Sequence, residues 1–297
     1  MLDAKRLAGH ALGFSDLELA TRENEPADPQ AELRLAAMMA RRLGGESVAR
    51  IIGEREFYGL GFSLNPSTLE PRPETELLVD LAIAALPQGG SLLDLGTGTG
   101  CIPIAVLANR SDVQGIGVDL SEQALEAARA NAVRHQVEDR LAFLLGSWFG
   151  PLFTSPFGGE VDPLSGRVRG SGSGTCAEDP ISPSYDFSRQ STGEERFDLI
   201  TSNPPYIASD VIPTLAPEVR MFDPSLALDG GPDGLAPYRV IVKEAPRHLV
   251  PGAQLLLEIG HDQGAAVSEL LTQGGFHAVE IHRDLNGLDR VVSAHHM

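Results

Sequence analysis

Four consecutive residues, Asn203-Pro204-Pro205-Tyr206, combine a side-chain amide, two rings that restrict the backbone and an aromatic ring. Each proline fixes its own φ and pushes the residue before it toward an extended conformation, so the carbonyl groups keep a set geometry. The Asn203 side-chain oxygen and the Pro204 carbonyl can each accept one N–H from a planar NH₂ group, on which Tyr206 can stack. We therefore predict a substrate-binding site made of all four residues, with Asn203, Pro204 and Tyr206 as catalytic candidates.

A glycine-rich turn follows an apolar strand predicted over Ser91–Leu95. Glycines permit positive φ and let the backbone approach a ligand without a Cβ in the way. A lone G-x-G is weak evidence, and the dinucleotide fingerprint G-x-G-x-x-G has its third glycine one residue later than this turn. The G-T-G-T-G spacing is typical of S-adenosylmethionine sites rather than NAD sites. The candidate cofactor-binding residues here are Gly96, Thr97, Gly98, Thr99 and Gly100.

Two further residues are placed to contact an adenosine. Asp119 ends the second predicted strand, 23 residues after Gly96, where a carboxylate can accept hydrogen bonds from both ribose hydroxyls. Alone, Asp119 would as readily be a surface acid or a helix cap, and the glycine turn at this spacing favours ribose binding. Trp148, the only tryptophan, follows the third predicted strand at the same edge of the sheet, where it either fills the core or packs beside the cofactor.

Together the two motifs point to methyl transfer onto an amide nitrogen. Such a nitrogen is a poor nucleophile because its lone pair is delocalised into the carbonyl group. Hydrogen bonds accepted from its two protons push electron density back toward nitrogen and aim it at the sulfonium methyl group. The cofactor carries the driving force while the protein supplies orientation and electrostatics, so we assign no general base. Asn203 is a candidate contact of both cofactor and substrate.

These motifs need a scaffold in which several strands end at one edge. The alternation of short apolar strands with helices predicts an α/β fold with a doubly wound, mostly parallel sheet. Ligands bind beyond the carboxyl ends of strands in such sheets, so the tetrapeptide and the glycine turn would face one crevice. The predicted strands are Ser91–Leu95, Gly115–Leu120, Leu141–Leu145, Phe197–Ser202, Gln254–Ile259, Val279–Arg283 and Arg290–Ala294. A helix over Ile102–Asn109 is predicted between the first two strands, and a helix over Glu122–Arg134 between the second and the third.

A separate helical domain is predicted over residues 1–70 and a methyltransferase domain over residues 71–297. The long helix of the first domain is Ala31–Leu43, which is rich in strong helix formers and ends at Gly44-Gly45. Shorter helices are predicted over Asp3–Leu12 and Ser15–Thr21, with Ser15 as a possible N-cap. We expect this domain to recognise the substrate.

Two other segments shape the organisation of the chain. Arg55–Leu64 contains Gly59 and Gly61 among aromatic residues, which predicts a hairpin linker between the domains. Phe153–Glu195 is rich in Gly, Ser and Pro and has little apolar periodicity, so we predict a flexible insertion. A lid or a partner-binding loop is the alternative for this segment.

The composition of the chain limits the classes of partner that it can be expected to bind. The chain has 297 residues, 42% of them hydrophobic, and a formal net charge of −18, which favours a protein or small-molecule partner over a nucleic-acid backbone. The sequence lacks an apolar run of about 18 residues and a secretory signal, so we expect no membrane partner and a cytoplasmic location. We further expect a monomer, no metal, and no disulfide between Cys101 and Cys176.

With both motifs in place, the chain resembles the peptide-chain release factor glutamine methyltransferases, the HemK-type enzymes. The likeness covers most of residues 50–297 and rests on the combination of R-P-E-T-E, N-P-P-Y and D-G-G-x-D-G-L. The segments that carry it are Pro71–Glu76, Leu93–Ile104, Phe197–Ile207, Phe222–Leu235 and Leu256–Gly260.

The resemblance implies a seven-stranded methyltransferase fold with a helical N-terminal domain. It implies S-adenosylmethionine as cofactor and, as substrate, the glutamine of a Gly-Gly-Gln motif in class I release factors, methylated on its side-chain amide nitrogen. Cofactor contacts would fall on Gly96–Gly100, Asp119, Trp148 and Asn203, with Trp148 on the adenine side. Substrate contacts would fall on Asn203–Tyr206.

Three alternatives remain open at this point. A glutamine methyltransferase that acts on a ribosomal protein would share the N-P-P-Y chemistry, although R-P-E-T-E favours release factors. An adenine-N6 DNA methyltransferase presents the same NH₂ geometry, but the acidic balance and the lack of a Lys/Arg-rich segment count against a phosphate backbone. A non-enzymatic scaffold would not need Asn203 and Tyr206 intact.

Overall fold

The computed structural model describes residues 2–22, 24–153 and 196–297. Ten α-helices lie within these residues: α1 (Leu2–Leu12), α2 (Asp16–Thr21), α3 (Pro29–Leu43), α4 (Val48–Ile52), α5 (Glu76–Ala85), α6 (Cys101–Asn109), α7 (Glu122–Arg134), α8 (Pro217–Arg220), α9 (Ala236–His248) and α10 (Gly264–Gln273). The same residues form nine strands: β1 (Glu54–Phe57), β2 (Leu60–Ser63), β3 (Ser91–Leu95), β4 (Gln114–Asp119), β5 (Leu141–Leu145), β6 (Phe197–Ser202), β7 (Leu249–Glu258), β8 (His277–Arg283) and β9 (Asp289–His295).

Local sequence explains where the N-terminal helices begin. Ser15 accepts a hydrogen bond from the Glu18 backbone N–H while the Glu18 side chain returns one to Ser15, so the predicted N-cap of α2 is confirmed as a capping box. Asp28 caps α3, and Pro29 occupies its first turn, where a missing N–H costs little. The predicted hairpin is present as β1 and β2, which pair antiparallel.

The described residues place seven strands in one sheet, in the order β5-β4-β3-β6-β7-β9-β8. The first five of these run parallel, whereas β9 is antiparallel to both of its neighbours. The prediction of a mostly parallel, doubly wound sheet is therefore confirmed. Because the strand order reverses direction between β3 and β6, a crevice opens beyond their carboxyl ends.

The central strands β3, β4 and β6 are buried on both faces of the sheet, and successive residues along a strand enter different core clusters. Along β3, Leu92 packs in a cluster with α5, α6 and the hairpin, whereas Leu93 packs in a cluster with α9 and α10. Along β7, Leu256 joins the first cluster and Leu257 the second. The next residue, Glu258, therefore lies on the α5 side of the sheet.

Several elements differ from their predictions. β7 begins at Leu249 rather than Gln254, and α9 and α10 were not predicted. Residues 154–195 of the predicted insertion lie outside the described residues, as does Cys176. Cys101 is buried with a free thiol. None of the helices in the described ranges is long and apolar enough to cross a membrane.

Candidate active site

The residues singled out from the sequence meet at one edge of the sheet. Leu95 at the end of β3 is in register with Val118 of β4 on one side and with Ser202 of β6 on the other. The Ser202 hydroxyl donates a 2.7 Å hydrogen bond to the Leu95 carbonyl, which ties the two strand ends together. The glycine turn after β3 and the tetrapeptide after β6 consequently leave the sheet side by side.

The glycine turn is held in left-handed conformations by backbone hydrogen bonds. Gly96, Gly98 and Gly100 have φ values of 72°, 56° and 76°, which are strained for residues with a Cβ. The N–H groups of Gly96 and Thr97 both donate to the Val118 carbonyl, at 2.8 and 3.0 Å. The turn leads directly into α6, whose first residue is Cys101. This is a cradle of backbone that a small ligand can approach closely.

Asp119 lies at the mouth of this cradle and is bound to it. Its Oδ2 accepts a hydrogen bond from the Gly98 N–H at 2.8 Å, and its Oδ1 accepts one from the Ser121 N–H at 2.9 Å. Burial raises the pKa of Asp119, while the two backbone hydrogen bonds oppose the shift. Each carboxylate oxygen has a second lone pair, so Asp119 retains the capacity to accept two hydroxyl groups.

Trp148 covers the other side of the glycine turn. It has a φ of 49°, and its indole Cζ3 lies 4.0 Å from the place that a Cβ on Gly96 would occupy. The ring is half-buried against the core and also lines a cavity of about 430 Å³ with Asp229, Gly231 and Pro237. Trp148 thus both packs on the core and faces open space.

The tetrapeptide packs against a second glycine-rich segment, residues 229–234, which we call the glycine loop. The sequence indicated this loop only through the family resemblance. A Cβ on Gly230 would lie 2.8 Å from the Pro205 carbonyl oxygen, and one on Gly234 would overlap the Tyr206 carbonyl. Gln263 donates to the carbonyls of Tyr206 and Gly234, at 3.0 and 3.3 Å. These contacts fix the backbone of the tetrapeptide.

The side chains of the tetrapeptide have defined surroundings. The Asn203 Nδ2 donates to the Thr75 hydroxyl at 3.3 Å, and Thr75 belongs to the R-P-E-T-E segment. Burial raises the pKa of Tyr206 to about 12, so its hydroxyl is neutral near pH 7 and the ring can stack on a planar group.

Three polar residues of the site were not predicted as such: Thr75, Gln263 and Glu258. Glu258 ends β7 directly after three leucines, and Asp94 lies between Leu93 and Leu95 in β3. Both carboxyl groups are buried, and burial raises the pKa of each to about 7. Asp94 accepts a 2.8 Å hydrogen bond from the Thr201 hydroxyl. A charged residue within an apolar strand was the available signal for both.

A mostly parallel sheet with this glycine turn after β3, an acid at the end of β4 and Asn-Pro-Pro-Tyr after β6 is the arrangement of a methyltransferase. The comparisons agree: a methyltransferase domain model matches residues 86–157, and the PrmC N-terminal domain model matches residues 1–53. A methyltransferase from Pyrococcus furiosus shares the fold, with a TM-score of 0.50 and 16% identity over 88% of this chain and 98% of that one.

Sequence relatives identify the family. The chain is 41% identical to the release factor glutamine methyltransferase of Cereibacter sphaeroides, over 98% of this chain and 90% of the relative. It is 39% identical to the protein of the same name from Agrobacterium fabrum, over 99% of this chain and 89% of the relative. The chain belongs to the release factor glutamine methyltransferase family.

Proposed function

We propose that this protein transfers the methyl group of S-adenosylmethionine to the side-chain amide nitrogen of the glutamine in the Gly-Gly-Gln motif of class I release factors. The observation that carries the proposal is the placement of Asn203 beside the glycine turn, through the hydrogen bond between Ser202 and Leu95. The names of the curated relatives support the choice of substrate.

The residues present fit the cofactor. The left-handed glycines of the turn make room for a ligand, the Asp119 carboxylate lies at its edge, and the Trp148 ring flanks it. We assign cofactor binding to these residues and to Asn203, with Asp119 on the ribose and Trp148 on the adenine side. When bound, S-adenosylmethionine supplies an electrophilic methyl group on a positively charged sulfur.

The protein contributes orientation at the acceptor nitrogen. The Asn203 Oδ1 and the Pro204 carbonyl accept hydrogen bonds from the two N–H groups of the glutamine amide. Tyr206 and Pro205 lie against the plane of that amide. With S-adenosylmethionine bound, the cofactor would supply the methyl group to this oriented nitrogen, with an N–C bond replacing the C–S bond, and the nitrogen would then release one proton. The methylated amide is strongly acidic until it loses this proton, so no protein base is required for the transfer.

The domain organisation and the partners are part of the same proposal. We assign residues 1–70 to substrate recognition, a role supported by the match of residues 1–53 to an N-terminal domain model of this family. The net charge of −18 supports a protein substrate without direct nucleic-acid contact. A cytoplasmic monomer is the form in which we expect it to act.

The test is transfer of labelled methyl groups to four separate acceptors: a release factor, its Gln→Ala variant in the Gly-Gly-Gln motif, ribosomal proteins and DNA. Label on the unmodified release factor alone is the expected result. The Asn203→Ala variant should transfer no label while it retains weakened cofactor binding. Label on DNA or on a ribosomal protein, or full turnover by Asn203→Ala, would contradict the proposal.

A further inference from the structure

The acceptor site works only if the Asn203 side chain is turned one way. Its oxygen must face the glutamine NH₂ group, and its own NH₂ group must face the protein. The two ends of an amide have nearly the same shape, so only hydrogen-bond partners decide between the two orientations. The Asn203 Nδ2 donates to the Thr75 hydroxyl, and no donor among the described residues reaches the Asn203 Oδ1.

The Thr75 hydroxyl has a single proton, and its direction is also determined. Because the hydroxyl oxygen accepts from Asn203, its proton is free to be donated elsewhere. Thr75 and Asn203 both favour the charged form of Glu258, whose buried Oε2 has no hydrogen-bond partner among the described residues and is open to the Thr75 proton. Ser202 is in register with Leu257, so Glu258 comes directly beside Asn203 at the ends of β6 and β7. An ionised carboxylate has no proton to give, so a charged Glu258 can only accept from Thr75, whose oxygen is then left to accept from Asn203.

We propose that Thr75 and Glu258 are positioning residues that hold the Asn203 amide with its oxygen toward the substrate and thereby select glutamine over glutamate. A site that presents only acceptor oxygens binds an NH₂ group and repels a carboxylate. The inference rests on the proposed function and extends it to the choice of side chain. It also explains why R-P-E-T-E, a segment outside the sheet, contributes to the site.

The surroundings of Glu258 make this arrangement sensitive to pH. Thr75 and Glu258 are 2% and 1% exposed. Burial raises the pKa of Glu258 to about 7; Arg290 from β9 favours its charge, and Glu74 beside Thr75 opposes it. Its charge also acts on Cys101 of α6, on Tyr206 and on Tyr238 of α9. Below that pKa Glu258 is protonated and can donate to Thr75. The hydrogen bonds that orient the Asn203 amide then no longer have a fixed direction.

Side-chain substitutions of matched shape test the role of Thr75. Thr75→Val, which neither donates nor accepts, should lower kcat for a release factor about tenfold, while cofactor affinity is retained. Thr75→Ser keeps the hydroxyl group and should recover most of kcat. A kcat equal to wild type in Thr75→Val would overturn this inference alone, whereas absence of transfer by the wild type would overturn the proposed function with it.

The pH profile tests Glu258. Wild-type kcat should fall as the pH decreases through about 7, and this acid limb should be absent from Glu258→Gln, whose kcat is low throughout. The matched control is Glu70→Gln, which alters another buried carboxyl, bonded to Ser47, and should keep the limb. An acid limb retained in Glu258→Gln would overturn the inference.

A double-mutant cycle separates positioning from general loss of packing. Asn203→Asp places a second carboxylate beside that of Glu258. When Glu258→Gln is added, the new amide offers an NH₂ donor to the carboxylate at position 203. The double variant should therefore be more active than Asn203→Asp alone. Additive losses in the cycle would contradict a direct link between these two side chains.

Discussion

Arg50 and Asp223, 173 residues apart in sequence, form a buried ion pair in which the Arg50 Nη2 lies 2.5 Å from the Asp223 Oδ1. Their side chains are 7% and 3% exposed. Arg50 also donates to the Thr68 carbonyl at 2.7 Å, and Arg72 pairs with the other oxygen of Asp223 at 2.7 Å. The N-terminal helices, the R-P-E-T-E segment and the chain that precedes the glycine loop are therefore joined at one carboxylate.

Removal of that carboxylate should be costly. Asp223→Ala leaves the buried Arg50 guanidinium without its counter-ion, so we expect the free energy of unfolding in urea to fall by about 3–5 kcal/mol. Glu25→Ala is the control, because the Arg22–Glu25 pair is exposed to solvent and its loss should change the free energy of unfolding only slightly. Equal losses in the two variants would show that Asp223 is not a structural junction.

The glycine loop offers a steric test of the acceptor site. Gly234 has a φ of 70°, and a Cβ there would overlap the Tyr206 carbonyl, whereas Gly287 has a φ of 77° with nothing within 4 Å. Alanine at either position incurs a similar backbone penalty of about 1–2 kcal/mol, but only Gly234→Ala displaces the tetrapeptide. We expect kcat to fall strongly in Gly234→Ala and to stay near wild type in Gly287→Ala. Similar kcat values in both variants would contradict a supporting role for the loop.

The strand-end motifs were predictable because they depend on local sequence and on a general property of parallel sheets. Once β3 and β6 are assigned, the glycine turn and Asn203 must emerge at the same edge. The α9 helix was missed since Pro246 lies inside it, and proline generally disfavours helix interiors. Here it falls in the last turn, where buried Tyr238 and Ile241 already anchor the helix.

The supporting polar residues were harder to predict. Thr75 contacts Asn203 across 128 residues, and Gln263 contacts Tyr206 across 57 residues. Such pairs are set by tertiary packing, which the local pattern around either residue does not reveal. The buried carboxyl of Glu258 left a trace as a charged residue in an apolar strand, but its partners could be named only from the structure.

Cofactor affinity should depend on Asp119 and can be measured without activity. Trp148 is the only tryptophan and flanks the glycine turn, so a change in its fluorescence should report S-adenosylmethionine binding. Asp119→Ala should weaken affinity by about 1.5–3 kcal/mol, because a charged hydrogen-bond acceptor is lost and the Gly98 N–H is released. Asp112→Ala changes a carboxylate near the opposite end of β4 and should bind normally. Unaltered affinity in Asp119→Ala would remove Asp119 from the cofactor site.

Buried carboxyl groups should make stability depend on pH in an unusual direction. Burial raises the pKa of Asp94 from 3.8 to about 7, so the folded state holds this proton where the unfolded chain has lost it. The resulting contribution to the free energy of unfolding is complete below the unfolded pKa and is lost as the pH rises through about 7. Glu258, whose pKa is also raised to about 7, acts in the same sense.

The Asp94→Asn variant isolates this effect, because asparagine keeps the shape and does not titrate. Between about pH 5 and pH 8 the free energy of unfolding should decrease in the wild type and should decrease less in Asp94→Asn. Asp112→Asn is the control: Arg110 lowers the pKa of this exposed carboxyl, so its removal leaves the decrease in place. Urea unfolding at each pH measures the difference, and identical pH dependence in wild type and Asp94→Asn would show that Asp94 is ionised in the folded protein throughout this range.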